Sequence, residues 1–158
     1  MLCFLGIGSN LGDPKKNVER GIEGVGHFQH TTLLACSRLY KTKPVGMESD
    51  SWFVNAVLKV ETSLNPRRLM TCCLDLEREM GRDRGRGQDR ELDLDILYYG
   101  NCIVWESDLK IPHPRLAHRA FVLIPWSDVA GGLYIRPWNM TVHALSQQVD
   151  RTLAEAIS

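Results

Sequence analysis

Some stretches of the chain have the apolar pattern of a β-strand, and others have apolar residues at helical spacing. The sequence of these stretches predicts an order of strands and helices. The first apolar run, residues 2–8, closes with glycines and a polar turn, as a short strand does. Asp13 then stands where a helix N-cap is expected, Pro14 takes the first helical position, and apolar residues follow at helical spacing. The pattern predicts a strand over 2–8 and a helix over 14–28.

The same two signals repeat further along the chain. Two runs rich in β-formers, 31–42 and 52–62, predict the second and third strands, with a proline-containing and glycine-containing loop at 43–51 between them. Asn65 and Pro66 repeat the cap-then-proline start and introduce a helix over 66–80, and an arginine-glycine segment separates it from a fourth strand over 90–99. This order predicts an α+β, ferredoxin-like (βαββαβ) fold, in which helices pack on one face of an antiparallel sheet.

The remaining residues form a C-terminal extension with weaker signals. We expect a short strand over 102–105, a short helix over 118–124 and a last helix over 141–149, which Thr141 caps. No long repeat and no linker divides the chain. Its 158 residues therefore predict a single domain over 1–158.

The composition narrows the class of protein. The 44% hydrophobic content provides a core without disulfide or metal cross-links, and no apolar run approaches the roughly 18–20 residues of a membrane span. Nineteen basic residues balance nineteen acidic ones, so no overall charge attracts nucleic acid or an anionic membrane. The five cysteines are odd in number and lack a C-x-x-C spacing, which is typical of reduced thiols. We expect a cytoplasmic monomer without nucleic-acid or membrane partners.

The fourth strand raises a question about charge, because it places two carboxylates on one face. Leu92 and Leu94 alternate with Asp93 and Asp95, so the leucines belong to the core and the aspartates to the other face. Carboxylates about 6.6 Å apart repel by about 0.6 kcal/mol in water and about 2.5 at an effective dielectric constant near 20. Taken alone, the pair is typical of a half-exposed strand whose acids face solvent. A divalent cation would instead turn the repulsion into binding.

The arginine-glycine segment just before the strand favours the second interpretation. Residues 82–90 hold four arginines against two aspartates, so a basic loop adjoins an acidic strand. A magnesium-bound polyphosphate would satisfy both, with cations on the aspartates and guanidinium groups on phosphate oxygens. The glycines would let such a loop close over the ligand. A solvated turn and an arginine-glycine contact with RNA remain open alternatives for this loop.

Six motifs together resemble a known family, the 6-hydroxymethyl-7,8-dihydropterin pyrophosphokinases of folate biosynthesis. They occur in the family's order and span most of the chain. The motifs are "GIGSNLGDP" (6–14), "LYKTKPVG" (39–46), "FVNAV" (53–57), "LEREMGRDR" (76–84), "RELDLDILYYG" (90–100) and "IPHPRLAHRAFVLIP" (111–125). The resemblance implies an enzyme that transfers diphosphate from ATP, its co-substrate, to the hydroxymethyl group of the pterin, releases AMP, and uses two Mg²⁺ ions.

The resemblance also implies roles for individual positions. The implied catalytic residues are Arg82, Arg90, Asp93 and Asp95, of which the two aspartates are also the implied metal ligands. Nucleotide contacts are implied for Glu77, Arg84, His113 and Arg119. Contacts with the pterin are implied for Thr42, Pro44, Val45, Phe53, Asn55 and Phe121, with the two phenylalanines stacking on its ring.

The chain departs from the family's pattern at a few positions. The arginine loop is about two residues shorter than in many relatives, and Glu91 adds a third acid beside the pair. Leu74 and Asp108 replace polar and basic residues that some relatives use for nucleotide contacts. Two other functions compete: an RNA-binding module, suggested by the arginine-glycine loop, and a small phosphatase, for which Asp13 makes the N-terminal turn unsuitable.

Overall fold

The computed structural model describes residues 1–43, 52–81 and 91–157 of the chain. The first strand, the first two helices and the strands before and after the second helix all begin and end within three residues of their predicted bounds. In chain order the elements are β1 (Leu2–Ser9), α1 (Pro14–Gly26), β2 (Thr31–Cys36), β3 (Tyr40–Thr42), β4 (Phe53–Thr62), α2 (Pro66–Glu79), β5 (Asp93–Tyr99), β6 (Val104–Glu106), β7 (Leu109–Ile111), α3 (Ala120–Ala130), β8 (Tyr134–Ile135), β9 (Met140–Thr141), α4 (Val142–Ser146) and β10 (Ala154–Ala156).

One antiparallel sheet organises these elements around β1. Its strand order across the described residues is β10, β3, β4, β1, β5, and β2 pairs with another stretch of β4. Every neighbouring pair in this sheet is antiparallel. The prediction of an α+β chain with an antiparallel sheet is confirmed.

Helices cover both faces of the sheet, and successive residues of β1 point to opposite layers. Cys3, Leu5 and Ile7 belong to the core beneath α1 and α2. Phe4 belongs to a second core with Leu97 and with side chains of α3 and α4. The prediction that helices pack on one face is wrong, because the C-terminal region supplies a second helical layer.

This second layer depends on α3, which continues beyond the predicted helix over 118–124. Pro125 lies inside it and has no N–H to donate to the carbonyl group of Phe121, which is why the sequence suggests an end there. Trp126 follows the proline, is fully buried and packs 5.5 Å from the ring centroid of Phe4. Its burial keeps the helix in place. Neither α3 nor another helix within the described ranges is long and apolar enough to cross a membrane.

The predicted second strand is interrupted and forms β2 and β3. At the interruption, Ser37 bonds to Val57 of β4 twice, because its N–H donates to the Val57 carbonyl at 2.9 Å and its hydroxyl accepts from the Val57 N–H at 2.9 Å. The same hydroxyl donates to the carbonyl of Arg38 at 2.7 Å. A serine side chain thus takes over a backbone position in the ladder, which strand periodicity does not reveal.

Side-chain caps fix where the predicted helices begin. Asp13 accepts a hydrogen bond from the Lys16 N–H, and Asn65 accepts one from the Arg68 N–H at 2.9 Å. Thr141 caps α4 as predicted, although that helix ends at Ser146 rather than at residue 149.

The cap of α2 makes a prediction about stability. Replacing Asn65 by Ala removes the acceptor for the Arg68 N–H, so we expect the free energy of unfolding to fall by about 1 kcal/mol, measured by urea denaturation. Arg68→Ala keeps that backbone N–H and should change stability by less than about 0.5 kcal/mol. Equal losses in the two variants would show that the cap contributes nothing specific.

Candidate active site

Two glycines leave one end of the sheet's second face without side chains. Gly6 and Gly8 lie in β1, two and four residues beyond Phe4, and therefore on the face that α3 covers elsewhere. The register pairs Gly8 with Asn55 of β4 on one side and with Asp93 of β5 on the other. Directly opposed residues point to the same face, so polar side chains flank bare backbone. We call Gly6 and Gly8 the glycine floor.

The amide of Asn55 is held over this floor. Its Nδ2 donates to the hydroxyl of Thr42 at 2.6 Å, and both side chains are buried. A Cβ atom added at Gly8 would collide with Oδ1 of Asn55, so the glycine provides the space that the amide occupies. An amide has two N–H donors and a carbonyl acceptor, so a single bond to Thr42 leaves hydrogen-bonding capacity for a ligand.

The two aspartates lie at the start of β5, as predicted. Leu92, Leu94 and Ile96 alternate with them and are buried in the core beneath α1 and α2, whereas Asp93 and Asp95 are only partly buried. The side chain of Asp95 is 43% exposed. Across the described ranges no cluster of three or more His, Cys, Asp or Glu residues could hold a metal ion. A site here would rely on two carboxylates together with oxygens from water and substrate.

Arg119 links the aspartates to the next element. It is the N-cap residue of α3, and its Nη1 lies 3.9 Å from Oδ2 of Asp95. Its Nη2 lies 3.2 Å from Nε2 of His113, and its guanidinium carbon lies 5.5 Å from the ring centroid of Phe121. The structure therefore gathers four residues that the sequence predicts for the site.

The contacts of His113 determine how its ring can act. Its Nδ1 accepts a hydrogen bond from the backbone N–H of Arg115 at 3.0 Å, so a neutral ring carries its proton on Nε2. Burial lowers the pKa of His113, and the positive charges of Arg119, Arg115 and Lys110 lower it further. The neutral Nε2–H and the Arg119 Nη2 are then two donors 3.2 Å apart that do not bond to each other, an arrangement that suits an anionic oxygen accepting from both.

Glu77 lies apart from this group. It belongs to α2, is 1% exposed and accepts a hydrogen bond from the backbone N–H of Leu94 at 2.8 Å. Burial raises the pKa of the neighbouring Cys73 thiol, and the negative charges of Glu77 and Asp95 raise it further. The side chain is thus near the aspartates but inside the protein. Its predicted contact with a nucleotide stays a prediction.

One of the two phenylalanines lies in the strand that carries Asn55, and the other lies in α3. Phe53 opens β4, pairs with Thr42 in the register, and is partly buried. Phe121 lies in the first turn of α3 and packs against the second core. Their predicted stacking on a shared ring stays a prediction.

Part of the predicted site cannot be placed. The predicted loops at 43–51 and 82–90 lie almost entirely outside the described residues, and with them lie Pro44, Val45, Arg82, Arg84 and Arg90.

Two features of the site are not among the predictions from the sequence. One is the contribution of Gly6, although two glycines two residues apart in an apolar strand are a recognisable signal of a close approach to backbone. The proximity of Arg119 to Asp95 had no local signal, because the two residues are brought together only by the packing of α3 on the sheet.

The site is a polar cleft at one end of an α+β sheet. A fixed amide lies on one side of it, and carboxylates and hydrogen-bond donors lie on the other. The sequence profile of the family described as 7,8-dihydro-6-hydroxymethylpterin-pyrophosphokinase (HPPK) matches residues 4–131. The chain belongs to this family.

Several proteins of known name are similar over most of the chain. The 2-amino-4-hydroxy-6-hydroxymethyldihydropteridine pyrophosphokinase of Haemophilus influenzae is 34% identical over 152 residues, which cover 96% of this chain and 95% of the relative. The protein of the same name from Pseudomonas aeruginosa is 37% identical and covers 82% and 81%. The folic acid synthesis protein fol1 of Pneumocystis carinii is 40% identical over 82% of this chain but only 18% of its own length.

Solved structures support the fold. Plasmodium falciparum HPPK-DHPS, wild type with pteroate, superimposes with a TM-score of 0.76 at 13% identity, over 93% of this chain. This chain spans 42% of the length of that protein.

The close approach of Asn55 to Gly8 yields a prediction about stability, in which Gly26 serves as the control position. Gly8→Ala should lower the free energy of unfolding by about 1–3 kcal/mol, because the added methyl group displaces the buried amide of Asn55. Gly26→Ala, at the end of α1, meets no atom within 4 Å and should cost nothing or stabilise slightly. In an Asn55→Ala background the cost of Gly8→Ala should disappear. Equal cost in both backgrounds, measured by urea denaturation, would contradict the collision.

Proposed function

We propose that Asn55, the glycine floor and the Asp93–Asp95 pair form the site at which this chain transfers diphosphate. The family membership makes it an ATP-dependent diphosphotransferase of folate biosynthesis, which acts on 6-hydroxymethyl-7,8-dihydropterin. The products are AMP and the pterin diphosphate ester. The observation that carries the proposal is the row Asn55, Gly8, Asp93 across three strands. Two strand spacings, about 10 Å, separate the backbones of β4 and β5, and the Asn55 amide reaches over Gly8 between them, so a ring bonded to this amide would direct its hydroxymethyl group toward the aspartates.

The pterin pocket is proposed around Asn55. Its amide can donate and accept at once, as the amino-pyrimidinone edge of a pterin requires, and its bond to Thr42 fixes which way it faces. Phe53 and Phe121 would stack on the ring faces. The proposal extends to Pro44 and Val45, for which the resemblance to the family is the only support.

Asp93 and Asp95 are proposed to hold two Mg²⁺ ions. The residues fit such ions, because two carboxylates share a face, one of them is 43% exposed, and the adjacent glycine floor adds no side chain that would exclude water or phosphate. When bound, the ions neutralise phosphate charge and polarise the attacking hydroxyl group. The chain's own contribution is to hold both carboxylates in one strand beside the pterin pocket.

The nucleotide phosphates are proposed to lie against His113 and Arg119. The neutral ring of His113 donates through Nε2, and Arg119 donates from the same side, so the two residues can share a phosphate oxygen. Arg119 lies within 4 Å of Asp95, and this contact keeps its guanidinium group close to where the phosphates would lie. Arg84 is a further proposed nucleotide contact, and Arg82 and Arg90 are proposed to stabilise transition-state charge from the arginine loop.

The remaining proposals concern the fold and the surroundings. When only the four predicted strands are numbered, the sheet order is second, third, first, fourth, which supports the ferredoxin-like interpretation.

Five free cysteines support a reducing cytoplasm. The absence of a nucleic-acid partner is supported by α3 and α4, which cover a sheet face that RNA-binding relatives of this architecture keep open. A monomer remains part of the proposal.

A coupled assay tests the reaction. AMP should form only when ATP, Mg²⁺ and the dihydropterin alcohol are all present. Formation of ADP, or of AMP without the pterin, would contradict diphosphate transfer.

The metal assignment predicts a specific loss at Asp95. Asp95→Ala should lower kcat by a factor on the order of 10² to 10³, since it removes one of the two carboxylates that hold the ions. The thermal midpoint should stay close to the wild-type value, because the exchange removes repulsion from Asp93 together with a 3.9 Å contact with Arg119 at a side chain that is 43% exposed, and it removes little packing. Asp75→Ala, an exposed carboxylate on α2, is the matched control and should leave kcat unchanged. Unaltered turnover in Asp95→Ala would exclude the assignment.

The contacts of His113 predict a change of its pKa on nucleotide binding. In the free protein the imidazolium form is disfavoured by burial and by three neighbouring cations. A bound phosphate oxygen favours that form, so ATP should raise the pKa by about one pH unit or more. The measurement is an NMR titration of the ring protons with and without ATP. Adenosine, which lacks phosphates, should leave the pKa where it is, and an equal shift with both ligands would place the phosphates elsewhere.

A further inference from the structure

We propose that Glu77 is a positioning residue, which holds the backbone of β5 so that Asp93 and Asp95 stay aligned. The inference rests on the proposed function, because it assigns to Glu77 the task of supporting the two metal-binding carboxylates. It differs from a direct contact between Glu77 and the nucleotide.

The position of the bond in the strand carries the argument. β5 is the last strand at its end of the described sheet, so only one of its edges is paired with a neighbouring strand. Gly8 pairs with Asp93 and Gly6 with Asp95, and in an antiparallel ladder the intervening residue directs its N–H the other way. That residue is Leu94, whose N–H donates to Oε1 of Glu77 at 2.8 Å. The strand is thus held from one edge by β1 and from the other by Glu77, at the residue between the aspartates.

The burial of Glu77 supports this role. The side chain is 1% exposed in a helix face that otherwise buries Leu69, Cys73 and Leu76. A buried carboxylate is costly unless it is hydrogen-bonded, and an apolar residue of similar size would pack here at lower cost. The bond from Leu94 gives this buried carboxylate a defined role, because the peptide it holds lies between two residues of the site.

The start of β5 is where such support has most effect. The strand begins at Asp93, directly after the arginine segment, and an edge strand whose first peptides lack a second anchor can separate from its neighbour. Metal ligands must be held to within about 0.5 Å of the required geometry. Loss of the Leu94 bond should therefore weaken metal binding before it unfolds the domain.

The test uses the full-length protein and three variants. Glu77→Met removes the acceptor but keeps the volume, Glu77→Gln keeps a carbonyl acceptor without the charge, and Glu79→Met makes the matched exchange at an exposed position of the same helix. Two measurements are made on each: hydrogen exchange of the Leu94 amide in metal-free protein, and Mn²⁺ affinity in the presence of a non-hydrolysable ATP analogue.

We expect faster exchange at Leu94 and Mn²⁺ binding weakened by about 10- to 100-fold in Glu77→Met. Glu77→Gln should recover most of both properties, and Glu79→Met should match the wild type. In turnover assays Glu77→Met should lower kcat more than it raises KM for the pterin. ATP affinity in EDTA should be unchanged, because the bond does not touch the nucleotide.

Three results would overturn the inference. Unchanged Mn²⁺ affinity in Glu77→Met would show that the bond does not support the ligands. If Glu77→Gln loses as much Mn²⁺ affinity as Glu77→Met, the charge matters and the bond does not. If Glu77→Met does not fold, a loss of Mn²⁺ affinity in Glu77→Gln alone leads to the same conclusion. Weaker ATP binding in EDTA would show direct contact with the nucleotide.

Asp95→Asn in the same Mn²⁺ titration separates this inference from the proposed function. If Asp95→Asn and the wild type bind Mn²⁺ equally, the proposed metal site fails and the positioning role fails with it. If Asp95→Asn loses Mn²⁺ while Glu77→Met does not, only the positioning role fails.

Discussion

The site depends on the lack of side chains at two positions of the central strand. Along β1 the second face of the sheet carries Phe4, which packs against Trp126, then Gly6, which the side chain of Leu97 approaches, and then Gly8, over which the amide of Asn55 lies. The apolar layer closes where side chains fill the space and opens where they are missing. Asn55 can lie flat over the strand only because Gly8 has no Cβ, so a polar cleft and a closed core share one face.

Each charged side chain around this cleft either contacts a defined partner or faces a defined region of the site. The guanidinium of Arg119 lies between a carboxylate oxygen of Asp95 and the ring of His113. Burial and neighbouring cations lower the pKa of this ring, and in its neutral form the Nε2–H donates toward the same region. Beneath the strand, the buried carboxylate of Glu77 bonds to the peptide between the aspartates. Positive groups thus face the position proposed for the phosphates, while negative groups hold the strand and face the position proposed for the ions.

Sequence alone predicts the elements around this site but not how the layers assemble. The alternation of Leu92 and Leu94 with Asp93 and Asp95 is local, and it correctly separates the core face from the site face. The second helical layer is not local, since Trp126 anchors α3 beyond a proline that suggests an end. The approach of Arg119 to Asp95 depends on that packing, and the split at Ser37 depends on a side chain replacing backbone in the ladder. Periodicity reports which side of an element is buried, and it does not report which element covers it.

The central claim is that the pterin lies over Gly8, with Asn55 on one side and cation-bearing aspartates on the other. A crystal structure with Mn²⁺, a non-hydrolysable ATP analogue and the dihydropterin alcohol tests it most directly, because anomalous scattering locates the manganese without assumptions. The account predicts anomalous peaks in contact with both Asp93 and Asp95, and a pterin ring hydrogen-bonded to Asn55. Manganese bound away from both aspartates, or a pterin on the α1 and α2 side of the sheet, would contradict it.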